Sequence, residues 1–251
     1  MKNSAKILTV FCLLSLVACS CHRPTVKITG VETELLMVDS SLNAIQDSDY
    51  LSYLEPIKEN LEKQLDIPLG YAPEEMLRNR IDSKLLNWAC DALAERARKH
   101  YSGEVDLAVV NAGGLRCDWP AGEITFRSVF ELMPFDNELV ILTLSGKELY
   151  ELAENCVTLG GQGVSKEFRV VGLNGQVESV LLNGQPIDPE RKYYVATSDY
   201  LAGGADGLTA LTHFSDKVMT GKKMRDLYIE YVAEYKTVEA ELDGRVSLMG
   251  N

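Results

Sequence analysis

Thirty-seven acidic residues against 25 basic give this 251-residue chain a formal net charge of −12, and 46% of it is hydrophobic. That surplus of carboxylates argues against a nucleic-acid backbone binder, which neutralises phosphates with Lys and Arg, and leaves room only for a local basic pocket for a small anion. The absence of low-complexity tracts argues against wholesale disorder, and the length suits one large domain.

The N-terminus reads as a targeting segment. Lys2 and Lys6 precede an apolar run from Ile7 to Val17, too short for the roughly twenty residues that span a bilayer. It ends in Leu16-Val17-Ala18-Cys19, which resembles a bacterial lipobox. The resemblance implies removal of residues 1–18 and lipidation of Cys19, hence an exported, membrane-anchored protein of the cell envelope. Loss of residues 1–18, whose only charges are Lys2 and Lys6, would take the net charge from −12 to −14. Residues 19–31 are short, polar and Pro-containing and read as a tether, with one domain over 32–251.

Along that domain, Ile28 to Val38 reads as an extended strand. Apolar residues at Leu51, Leu54, Ile57, Leu61 and Leu65 predict an amphipathic helix that Pro56 opens rather than interrupts, and Ile67-Pro-Leu-Gly-Tyr71 breaks it. Ser83 to His100 predicts a strong helix with Asp82 or Ser83 as its N-cap. Val105 to Val110 is a buried-strand pattern that stops at Asn111-Ala-Gly-Gly-Leu-Arg116. Ile124 to Met133 suggests a short helix. Glu138 to Leu144 is a second apolar strand, followed by a helix over Lys147 to Cys156. Phe168–Val171, Val177–Leu182 and Lys192–Ala196 read as three further strands, with Asn183-Gly184 as a hairpin signal. Lys217 to Tyr235 closes the chain as one long helix. Strands and helices mix without strict alternation, so the expected class is α/β or α+β, with a mixed sheet flanked by helices.

The catalytic signatures are missing. His22, His100 and His213 are scattered, and neither a Gly-x-Ser-x-Gly elbow nor a phosphate-binding loop occurs. No Cys-x-x-Cys pair suggests structural zinc, and Cys21, Cys90, Cys117 and Cys156 default to free thiols. No metal site and no cofactor are expected in this chain.

Three turns carry recognition chemistry instead. In Asn111-Ala-Gly-Gly-Leu-Arg116, Gly113 and Gly114 suit a tight turn with positive φ and close backbone approach to a ligand, Asn111 donates and accepts, and Arg116 offers a fork for carboxylate or phosphate. Pro134-Phe135-Asp136-Asn137 puts a ring on a turn, where it could stack on a base with Asn137 at the base edge. Tyr200-Leu-Ala-Gly-Gly-Ala-Asp206 repeats the design of an aromatic, glycines and a carboxylate. Each has a plain alternative as an ordinary turn or a Phe folded onto the core. Gly160-Gly-Gln-Gly163 is read as a loop without a role.

These pieces, with Asp82-Ser83…Asn87…Asp91-Ala92-Leu93 before them and Gly122-Glu-Ile-Thr125, Phe130-Glu-Leu-Met-Pro-Phe-Asp-Asn137 and Leu144-Ser-Gly-Lys-Glu-Leu149 among them, resemble the C-terminal domain of 5′-nucleotidases. The resemblance runs from about residue 30 to the end. It implies that the base is sandwiched by Phe135 and Tyr200 with Asn137 at its edge. Asn111 would shape the Gly113-Gly114 turn, Arg116 would face ribose and phosphate, and Asp206 would accept from the ribose hydroxyls. Arg80 is the nearest match, one position off, to a further family arginine. Ala112 and Ala205 replace usual glycines, and Tyr200 replaces a usual Phe. The family's metallophosphatase domain, with its two metal ions, is absent from this sequence. Three roles follow: base and ribose binding for a metallophosphatase chain acting in trans, capture of nucleotides or nucleosides by a lipoprotein without catalysis, or a scaffold with a dead pocket.

Overall fold

A computed structural model describes residues 27–35, 37–38, 40 and 47–250; the lipobox and Cys19 lie outside them. Residues Ser52–Asn251 form one compact unit. Its centre is a five-stranded mixed sheet of order β10-β4-β9-β2-β5, built from β2 (Leu107–Val110), β4 (Glu138–Ser145), β5 (Gly163–Val164), β9 (Lys192–Ser198) and β10 (Asp216–Lys223). Only the β2–β9 pair is parallel.

Strands β2 and β4 and most of β9 are buried on both faces because their residues are largely apolar, and alternate side chains feed two cores, while the edge strand β10 is exposed along most of its length. Ala108, Val110, Leu139, Ile141 and Ala196 pack with helices α2 (Lys84–His100) and α6 (Met224–Tyr235). Leu107, Val109, Val140, Leu142 and Val195 join α4 (Gly146–Thr158) and a second sheet of order β11-β6-β7-β8, formed by β6 (Phe168–Leu173), β7 (Gln176–Leu182), β8 (Gln185–Pro186) and β11 (Val246–Met249). Ser83 is the cap of α2, accepting from Leu86 N. Cys90 and Cys156 are buried free thiols and Cys117 is a half-buried one.

Several expectations need correction. Residues 28–35 form no strand. Pro56 lies inside helix α1 (Ser48–Leu65), which starts earlier than the apolar stripe because Asp47 accepts from the amides of Asp49 and Tyr50. No α1 residue is buried. Pro68–Ala72 is not merely a breaker but strand β1, paired with β3 (Gly122–Thr125). The segment 124–133 therefore begins as strand and turns helical only at Phe126, where Thr125 and Ser128 form a reciprocal cap for α3 (Phe126–Leu132). Residues 217–223 are strand, not helix: β10 zips along β4 before α6 begins. Asn183-Gly184, both at positive φ, turn β7 into β8 rather than into β9, and Asn174-Gly175 make the same kind of turn between β6 and β7.

Candidate functional site

The sheet brings distant segments to one edge. Because β2 and β9 run parallel, Asn111 and the Asp199-Tyr200 pair emerge from the same end of adjacent strands. β4 is antiparallel to β9 with Leu139 opposite Ser198, so the turn entering β4, Phe135 to Asn137, reaches that end too. β5 is antiparallel to β2 with Gly163 opposite Val110, which adds Gln162. The result is a cavity of about 530 Å³ lined by Arg80, Asn111, Gly113, Gly114, Arg116, Phe135, Asn137, Leu159, Gln162, Tyr200 and Asp206. Every ligand-binding candidate singled out in the sequence lines it.

Both rings stay available. Phe135 is 38% exposed and Tyr200 48%, so neither is folded into the core. The Arg116 guanidinium stands 5.7 Å from the Phe135 ring centroid and donates to the Gly113 carbonyl at 3.2 Å. The Asn137 amide has no side-chain partner among the described residues, whereas its carbonyl accepts from Met224 N and so anchors the turn to α6.

Asp206 is the most constrained group. It sits at φ 55°, ψ 20°, in the left-handed region, and its carboxylate accepts from Asn111 Nδ2 at 2.6 Å and from the Tyr200 hydroxyl at 3.1 Å. The hydrogen bond to that carboxylate holds the Tyr200 phenol above its ordinary pKa. Ser198 caps the short helix α5 (Asp199–Ala202), and Asp199 accepts from the amides of both Tyr200 and Glu138, tying the two aromatic turns together.

The expected positive φ in the Gly113-Gly114 turn is not found. Residues Ala112–Gly114 form one turn of 3₁₀ helix, and neither glycine takes positive φ. Glycine is needed at 114 for space: a β-carbon there would fall 2.6 Å from Asn111 Oδ1.

Three contributors escaped the sequence reading. Gln162, almost fully buried, accepts from Ala112 N at 3.0 Å and fixes the start of that turn. Leu159 lines the cavity and its carbonyl accepts from Arg80 Nη1 at 3.3 Å. Arg225, outside the cavity, donates to the Phe135 carbonyl. Gln162 and Leu159 belong to the segment around Gly160-Gly-Gln-Gly163, read as a loop without a role. Arg80 faces the cavity, whereas Arg78, two positions before it, turns away to the Leu115 carbonyl and Asp118. Among the described residues no group of three or more His, Cys, Asp or Glu is placed to hold a metal ion.

The sequence profile of the 5′-nucleotidase C-terminal domain matches residues 68–213. The chain belongs to this family. Its relatives include the protein UshA of Yersinia enterocolitica, 27% identical over 199 residues that cover 78% of this chain and 36% of UshA, and an apyrase of Tabanus yao, 28% identical over 193 residues covering 67% and 35%. A 5′-nucleotidase precursor from Thermus thermophilus superposes with a TM-score of 0.71 at 27% identity, over 80% of this chain and 42% of that one. The NAD nucleotidase of Haemophilus influenzae shares the fold, with a TM-score of 0.62 at 22% identity, over 83% of this chain and 44% of that one. The chain spans about a third of the length of the curated relatives it matches. The matched stretch of the 5′-nucleotidase C-terminal domain, 68–213, contains every residue that lines the cavity.

Proposed function

We propose that this 5′-nucleotidase C-terminal domain binds the nucleoside part of a nucleotide in the 530 Å³ cavity. The base stacks on Phe135 and Tyr200 with Asn137 at its edge, and the ribose hydroxyls donate to Asp206. Arg116 and Arg80 stand on the phosphate side. The observation that carries this reading is the convergence on one cavity of two half-exposed rings, a held carboxylate and a side-chain amide without a partner among the described residues. Stacking on a ring contributes about 1–3 kcal/mol per base, enough to make the rings dominant in a chain whose net charge of −12 opposes anions at long range.

Hydrolysis, in this reading, is completed in trans by a metallophosphatase chain that brings the metal ions and docks over the phosphate end. The lipobox-like Leu16–Cys19 would anchor this chain at an envelope membrane, and a tether shared with the partner would raise their effective concentration. Metabolic palmitate labelling that Cys19→Ala abolishes is the expected sign of the anchor.

Equilibrium dialysis tests the binding step: adenosine and AMP should both be retained by the purified chain, and retention of neither would overturn the reading. Phosphate release from AMP should then require both chains. Release by this chain alone with Mn²⁺, Mg²⁺ or Zn²⁺ would overturn the division of labour.

A further inference from the structure

Asp206 owes the placement of its carboxylate to other side chains. It is a non-glycine residue at positive φ, with Gly204 and Gly207 on either side also left-handed. Its carboxylate is fixed by two side chains from separate segments: Asn111 Nδ2 donates to Oδ2 at 2.6 Å and the Tyr200 hydroxyl donates to Oδ1 at 3.1 Å. A carboxylate offers about four lone-pair sites, so one on each oxygen stays open. Two adjacent hydroxyls are the donor pair that such a bridging acceptor matches. A β-carbon at Gly113 would stand 3.6 Å from Oδ2, an ordinary contact, so the turn passes beside this oxygen without pressing on it.

We propose that the Tyr200 hydroxyl is a positioning group for Asp206, and that through it the cavity selects sugars bearing a vicinal diol; this rests on the nucleoside-binding reading above. The ring of residue 200 and its hydroxyl then have separable duties. The ring stacks on the base. The hydroxyl holds one carboxylate oxygen so that the other lone pairs meet the diol without a rotation to be frozen out on binding. With phenylalanine at 200 the stacking plate would persist while Asp206 pivoted on Asn111 alone. A hydrogen bond to a charged group that solvent reaches changes an equilibrium by a factor of about three to ten.

Calorimetric titration of the full chain with adenosine and with 2′,3′-dideoxyadenosine separates these duties. Tyr200→Phe should weaken adenosine about three- to tenfold, in line with that factor, and leave the dideoxy compound unchanged, because it has no hydroxyl to present to Asp206. Asp206→Asn should compress the same ratio, and the double variant should lose little more than either single one. Equal loss for both ligands, no change for adenosine, or tighter adenosine binding would overturn the proposal. If the wild-type chain binds both nucleosides and Tyr200→Phe changes nothing, only this proposal fails. If the wild-type chain binds neither, the reading on which it rests fails with it.

Discussion

Arg225 on α6 holds Phe135 by its backbone. Its Nη1 donates to the Phe135 carbonyl at 3.2 Å and its Nη2 to Asp136 Oδ1 at 2.5 Å, while the guanidinium lies 4.2 Å from the Phe130 ring centroid. The turn that presents the ring is thus braced by a buried cation from a helix ninety residues away in sequence. Lys223 and Arg225 together hold the Asp136 carboxyl below its ordinary pKa. Arg225→Met keeps the apolar stem and removes both donors. We expect a stability loss of about 1–2 kcal/mol by urea unfolding, limited by the solvent around Asp136, and weaker adenosine binding than in the wild type. An unchanged affinity would show that the turn is set by other contacts.

Gly161 separates α4 from β5 at φ +99°, and a β-carbon there would fall 2.4 Å from the Arg80 carbonyl oxygen. Gly161→Ala must therefore move the segment that carries Arg80. The expected cost is about 1–3 kcal/mol, with AMP binding weakened more than adenosine binding if Arg80 stands on the phosphate side. Gly160→Ala is the control: φ is +72° but the surrounding space is open, so only the left-handed backbone penalty of about 1 kcal/mol applies. Equal effects of the two substitutions would contradict the close-approach argument.

A charge cluster outside the cavity lining contributes to the acid stability. The buried Arg96 pairs with Glu95, Glu230 and Glu234, and Lys99 and His100 join it. The hydrogen bonds from Arg96 and then Lys99 bring the Glu234 carboxyl down to about 2 from its ordinary 4.5. Burial opposes the same shift at Glu230, but donation from His100, Lys99 and Arg96 outweighs it and the pKa falls. A carboxyl depressed in the folded state contributes stability that is fully present above its unfolded value and is lost as pH falls through the folded one. Urea midpoints should therefore decline between pH 4.5 and about 2, and Glu234→Gln should flatten that decline. A pH-independent midpoint over this range would contradict the assignment.

The cavity was legible in the sequence because its groups sit in short motifs between apolar strands. Asn111, Phe135, Tyr200 and Asp206 stand at fixed offsets from strand ends, and the parallel β2–β9 pairing then places them together. Gln162 was invisible because its role is a single hydrogen bond to Ala112 N, which no local pattern announces. Arg225 was hidden for a similar reason: its partner, Phe135, is remote in sequence. The misread helix over 217–223 shows a tertiary override. Val218 and Met219 pair with Ile141 and Val140 on β4, a contact that a local window cannot contain. Pro56 misled in the opposite way, since a proline inside a helix is disfavoured by its missing donor and yet α1 runs through it.

Nucleoside binding stands or falls with Phe135 as a stacking surface for the base, and calorimetric titration of adenosine into the wild-type chain and Phe135→Ala tests it without intermediaries. The wild type should bind measurably, and removing the ring should cost at least about 1 kcal/mol, roughly fivefold or more in Kd. Equal binding by both chains, or none by the wild type, would refute the stacking role.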